Sequence, residues 1–285
     1  MLQVETHLVT DLQSPIRLSD YAGSKFRLVP SRKGMKKAID KGWVTVNGAL
    51  ATTATLLSGG ETIELQIPFG TNRPQLELPL EVLFEDDFLA VVNKPAGIEV
   101  SGNRKRTVEN ALPFNLKTST QEDVLPFPEA IHRLDHPTTG ILLIGKTRNA
   151  VSKLNELFAK GKVNKRYTAV TIGQMPTEGT LDLAVDGKNA MTEYRVIESV
   201  DSERFAKLNL VDVVLHTGRR HQIRKHFAHI GNPILGDQLY GLDGLILKGK
   251  GLYLHASSLS FKNPFTDEQL TVDAPIPKKF NKLFP

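Results

Sequence analysis

The sequence predicts an α+β protein on a mixed, mostly antiparallel sheet, with a small domain ahead of the main one. Three observations lead there. Apolar segments of strand character, bounded by Gly, Pro and Asn, far outnumber segments of helical period. They do not alternate regularly with helices, which argues against a doubly wound parallel sheet. A proline-bearing stretch at 68–80, "PFGTNRPQLELPL", has few core candidates and divides the chain. The expected organisation is an N-terminal domain over 1–70, a linker over 71–80 and a larger domain over 81–285.

In chain order, "PSRKGMKKAIDKG" mixes basic and apolar residues at helical spacing, with Ser31 placed to cap the helix. "WVTVNGALATTATLLSGGETIELQI" follows as short strands joined at Asn47-Gly48 and Gly59-Gly60. In the larger domain, "LEVLFEDDFLAVVNKPAG" reads as a strand, an acidic turn, an apolar strand and a Pro-Gly break. "GILLIGKT" is a buried strand. "NAVSKLNELFAKGK" is an amphipathic helix with Val151, Leu154, Leu157 and Phe158 on one side. "RYTAVTIG", "MTEYRVIES", "FAKLNLVDVVLHTG" and "LYLHASSLSF" add strands, and "RRHQIRKHFAHIGN" is a short helix among them.

The formal net charge of +5 favours an anionic partner, nucleic acid first. With no cysteine in 285 residues, disulfides, thiolate catalysis and cysteine-based zinc sites drop out, and a reducing compartment suits the chain. The N-terminus "MLQVETHLVTDLQSP" lacks a basic region followed by an apolar core, and no apolar run reaches the ~18 residues of a membrane span. A cytoplasmic protein with no membrane partner is expected.

Four places carry chemistry. "AIHRLDHPTTGILLIGKT" sets Arg133 and Asp135 against an apolar run, where a charge needs a partner. In "HTGRRHQIRKHFAH", His221 and His226 are five apart, about 140° around a helix, so they do not share a metal. Ile223, Phe227 and Ile230 there should face the core, leaving Arg220 and Arg224, four apart, to point together elsewhere. In "NKRYTAV", Tyr167 is either a core aromatic or a platform for a nucleobase. On the basic helix, Lys33, Lys37 and Lys41 are spaced to form one cationic stripe beside Arg32, either a solvated face or a phosphate-binding one.

Together these segments resemble the RluA-like family of RNA pseudouridine synthases. The resemblance runs through 82–100, "HRLDHPTTGILLIGKT", "KRYTAVTIG", "LHTGRRHQIRKHFAHIGNPILGDQLYG" and "LHASSLSFKNPFT". Residues 17–67 resemble an S4-type RNA-binding module. The resemblance implies Asp135 as the catalytic residue, Tyr167 as the active-site tyrosine and Arg224 as the partner of Asp135. It further implies that Arg133 fills the gap left in the RNA by a flipped uridine. Arg32, Lys33, Lys37, Lys41 and Arg220 would contact RNA, with Arg220 standing where the family usually has a threonine. The expected partner of this monomer is structured RNA, ribosomal RNA of the large subunit foremost. The isomerisation implies no cofactor and no metal. A non-catalytic RNA-binding or ribosome-assembly protein on the same fold would have no need of Asp135, Tyr167 and Arg224 together.

Overall fold

The computed structural model describes residues 2–68 and 75–284 and divides into two compact units, Met1–Arg73 and Pro74–Pro285. Among the described residues no helix is long and apolar enough to cross a membrane.

The first unit holds β1 (Leu2–Leu8), β2 (Ile16–Arg17), α1 (Leu18–Ala22), α2 (Arg32–Asp40), β3 (Val44–Val46), β4 (Ala49–Leu50), β5 (Leu56–Leu57) and β6 (Thr62–Pro68). Its antiparallel sheet runs β1-β6-β3-β4, with β2 and β5 paired beside it. Asn47 and Gly48 both take positive φ (49° and 79°), the requirement of the tight β3–β4 turn. Ser31 caps α2 by accepting the Gly34 N–H at 3.1 Å. Met35, Ala38 and Ile39 of that helix are buried with Val44, Ile63 and Leu65. Its opposite side is basic: Lys33 and Lys37 are exposed and Arg32 pairs with Asp20. Lys41 departs from the simple stripe. It is the C-terminal cap of α2, and its ammonium lies 4.1 Å over the Trp43 ring.

The second unit carries β7 (Glu81–Glu85), β8 (Leu89–Lys94), α3 (Val108–Asn115), β9 (Val124–Ala130), β10 (Thr139–Thr147), α4 (Arg148–Ala159), β11 (Asn164–Ile172), β12 (Glu178–Asp182), β13 (Met191–Ser202), β14 (Ala206–Leu215), α5 (Gln222–His229), β15 (Leu254–Lys262), β16 (Gln269–Asp273) and α6 (Lys278–Asn281). The sheet follows β12-β13-β14-β11-β15-β10-β8-β7, with β9 on β10 and β16 on β15. Every pairing is antiparallel except β10 with β15, joined through Thr139↔His255 and Gly140↔Ala256. β11 and β15 form its middle, and β8 and β10 pair side by side toward the β7 edge. Leu89–Val92 and Ile141–Ile144 are almost wholly buried, which explains why both read as continuous apolar runs instead of alternating ones.

Residues 71–74 of the expected linker lie outside the described residues. The rest of that segment belongs to the second unit. The Leu76 N–H donates to the Asn110 carbonyl (2.9 Å), the Leu80 N–H to Asn115 Oδ1 (2.7 Å), and Leu80 is buried. Leu76, Leu78 and Leu80 alternate along extended chain, so their side chains reach one core face despite the prolines around them.

Candidate active site

The loop before β10 is built to hold one carboxylate outward. Ile131 and Leu134 are buried anchors, and Arg133 between them is exposed. His132 turns inward: its Nε2 accepts the Leu143 N–H at 3.1 Å and its ring stacks on Phe158 at 5.0 Å. Burial, aided by the charge of Lys165, pushes its imidazole down to about 4, so it is a neutral pin. A turn closes where the Thr138 N–H meets the Asp135 carbonyl (3.0 Å), and the Gly97 N–H holds the His136 carbonyl (2.9 Å).

Lys94, fully buried at the end of β8, ties this loop from behind. Its ammonium donates to the carbonyls of Pro95 (3.0 Å), His136 (3.2 Å) and Thr138 (2.8 Å). Burial pushes it down to about 8, while the negative charge of Asp135 pulls the other way.

The answering cation comes from α5. Arg224 Nη1 donates to Asp135 Oδ2 at 3.1 Å, across 89 positions of sequence. The rest of the guanidinium is fixed by Asp237, which receives Nε at 2.7 Å and Nη2 at 2.8 Å, a bidentate fork. Asp237 is itself buried and accepts the N–H groups of Leu239 (2.9 Å) and Tyr240 (3.1 Å). Burial opposes its charge, but the bonds from Arg224 and the two amides outweigh that and hold its carboxyl below the ordinary range. The fork thus leaves Arg224 one free edge, and that edge faces Asp135.

His221 completes the surround. Its Nε2 lies 3.5 Å from Asp135 Oδ1 and its Nδ1 2.9 Å from the Tyr240 hydroxyl. Burial lowers its pKa. The Asp135 charge opposes the shift, and Arg224, Arg220 and Lys225 reinforce it.

Asp135, Arg224, His221 and His132 line a cleft of about 330 Å³. Asp135, Arg133, Tyr167, Arg224 and Arg220, singled out in the sequence, all contribute to it. Tyr167 sits on β11 opposite Ala256 and Val213, 8% exposed, and burial with the charge of Asp135 pushes its phenol well above the usual range. It is therefore a neutral ring at physiological pH. Arg220 enters differently from the helical spacing. α5 starts only at Gln222, so Arg220 lies in the preceding turn, and His221 takes a left-handed conformation (φ 56°) that reorients the chain between them. Ile223 and Phe227 do face the core, as their spacing requires. Arg32, Lys33, Lys37 and Lys41 belong to the other unit.

Sequence reasoning passes over Lys94, His221 and Asp237. A lysine ending an apolar strand ordinarily reaches water, the spacing of His221 speaks only to metal binding, and Asp237 looks like one more turn residue in "ILGDQLYG". The available signal is the buried run just before Lys94 and the Gly-Asp turn.

An antiparallel-rich sheet with one carboxylate in a basic cleft defines the class, and comparison with known proteins agrees. Residues 88–229 match the model of the RNA pseudouridylate synthase family. "Ribosomal large subunit pseudouridine synthase D" of Xanthomonas campestris is 33% identical, aligned over 89% of this chain and 83% of that protein. The protein of that name from Vibrio cholerae is 33% identical over 96% and 92%, and that from Pasteurella multocida 35% over 89% and 86%. Human RNA pseudouridylate synthase domain containing 4 superposes with a TM-score of 0.58 at 26% identity, covering 70% of this chain and 90% of that one. The chain belongs to the RluA-like family of RNA pseudouridine synthases.

Proposed function

We propose that this enzyme converts uridines of large-subunit ribosomal RNA to pseudouridine, with Asp135 as its catalytic carboxylate. The relatives named for the ribosomal large subunit support that substrate. The reaction breaks the N1–C1′ bond, forms C5–C1′ and moves a proton from C5 to N1, so it is redox-neutral and needs no second substrate. It calls for an ionised carboxylate at the sugar, shielded from water. The observation that carries the assignment is the 3.1 Å pair between Asp135 and an Arg224 already fixed by Asp237. A cation so held keeps the Asp135 carboxylate oriented when substrate excludes water. The cleft is lined by five Arg and Lys residues against this one carboxylate, which suits a polyanion.

A uridine in folded RNA reaches Asp135 only after flipping out, and the Tyr167 ring then stacks on it. Exposed Arg133 at the rim takes the vacated place. The first unit acts as an S4-like RNA-binding domain whose Lys33, Lys37 and Lys41, with Arg32, hold phosphates, as Arg220 does at the cleft.

The test is ribosomal RNA from a strain lacking the gene, treated with enzyme and mapped with carbodiimide. Wild type should create at least one new pseudouridine. Asp135→Asn, nearly isosteric, should fold normally and create none. Turnover by that variant within tenfold of wild type would remove Asp135 from the chemistry.

A further inference from the structure

Two cations in the cleft, Arg219 and Lys165, have no task in this scheme; Arg219 donates from Nε to the Asn189 carbonyl at 3.0 Å, which leaves Lys165. Lys165 lies on β11 two positions before Tyr167. The β11–β14 ladder begins at Arg166 and runs regularly through Tyr167, the irregularity against β15 adds Ser257 on the β15 side and leaves β11 unbulged, and both Lys165 and Tyr167 line the cleft. The two side chains therefore share a face, about 6.6 Å apart along the strand. Tyr167 is buried and Lys165 only partly so, which places the lysine nearer the mouth.

Its surroundings offer nothing to balance its charge. Among the described residues Lys165 forms no ion pair, and burial is what lowers its pKa. Its neighbours are the neutral His132 and the Phe158 ring, whose centroid lies 5.9 Å from the ammonium. The one acid that lines the cleft, Asp135, is already engaged by Arg224, which Asp237 holds from behind. A strongly hydrated ammonium that has lost part of its water and gained no counterion favours an anion that brings its own charge. A uracil carbonyl would supply only a dipole.

We propose that Lys165 binds a backbone phosphate flanking the target uridine, fixing the nucleotide at the cleft mouth while Tyr167 holds its base. The assignment rests on the pseudouridine-synthase reading above. It makes Lys165 a substrate-binding residue whose contribution is the same in the ground state and the transition state.

The probe is a short RNA fragment carrying a uridine that the mapping identifies, with a single uncharged methylphosphonate placed on either side of it. On unmodified RNA, Lys165→Met should raise KM about tenfold, the worth of one charged hydrogen bond, with kcat within about threefold of wild type. Lys165→Arg, which keeps the charge, should recover most of the loss. At one of the two positions the methylphosphonate should cost wild type about tenfold and the Met variant almost nothing, because both changes remove the same interaction. Equal losses in wild type and variant at both positions would overturn the phosphate assignment and point to the base. A fall in kcat alone would overturn it as well, as would a normal KM in a folded Met variant. Wild type making no pseudouridine at all would overturn the functional reading and this assignment with it, a result visible before any variant is compared.

Discussion

At the scale of single residues, the Asp135 carboxylate is held by a chain of partners more than by its own position. Arg224 spends Nε and Nη2 on Asp237 and has Nη1 left for Asp135. A lysine could carry the charge but could not donate along three directions in one plane. Arg224→Lys should therefore lose at least about a hundredfold in kcat, with KM for RNA nearly unchanged, measured in single-turnover assays. Asp135 and Arg224 were legible because each sits in a motif, and a carboxylate beside a buried strand demands a cation. Asp237 was not, because its role exists only once the turn after α5 folds its carboxylate back onto a helix 13 positions earlier. Lys94 was hidden for a related reason. The three carbonyls that accept its ammonium include two from a loop 42 and 44 positions away, and nothing local announces them.

Among the elements, those with a clear period were legible and the edge pieces were not. β8, β10, β11 and α4 follow their apolar patterns closely. β9 contains Pro126 and Pro128 and is not among the strands read from the sequence; it is compatible with them because it pairs on one side only, with β10, through Val124, Glu129 and Ala130. β12 and β16, five residues each, also lie on single partners, where packing and not propensity decides the strand. On α2 the stripe read from the sequence can be tested directly. Replacing Lys33, Lys37 and Lys41 with Ala should weaken RNA binding and flatten the plot of log K against log salt, at unchanged kcat. The slope should drop by up to roughly 0.9 for each phosphate the protein no longer neutralises. An unchanged slope would leave the stripe as a solvated face. In β10 the critical position is Gly140. Its φ is +109°, and a Cβ there would run into the backbone of Ala256. Gly140→Ala should destabilise the second unit by roughly 3 kcal/mol or more in urea unfolding, with Asp135 itself untouched.

For the molecule as a whole, buried imidazoles contribute to the loss of stability in acid. His132 and His255 are both pushed down to about 4, each chiefly by burial. Their unfolded values lie near 6.5, so below that pH the unfolded chain takes up protons that the folded one refuses. Stability should fall from pH 6.5 to 4, on the order of 3 kcal/mol for each group, and these two contributions should level off below 4. His132→Gln, which keeps an acceptor for the Leu143 N–H, should remove its share of the slope when unfolding is followed across that range. The parallel junction has a different kind of consequence, one of timing. β10, leading out of the Asp135 loop, and β11, bearing Tyr167, are never paired with each other; the ladder joins them through β15, at Gly140↔Ala256 on one side and Tyr167↔Ala256 on the other. The two halves of the cleft can each form from near neighbours in the chain, yet they remain separate until Leu254–Lys262 arrives. During synthesis the enzyme should thus stay inert until Leu254–Lys262 has emerged. In refolding, pulse-labelled amides of β11 and β14 should be protected first, and those of β15 should gain protection together with the return of activity.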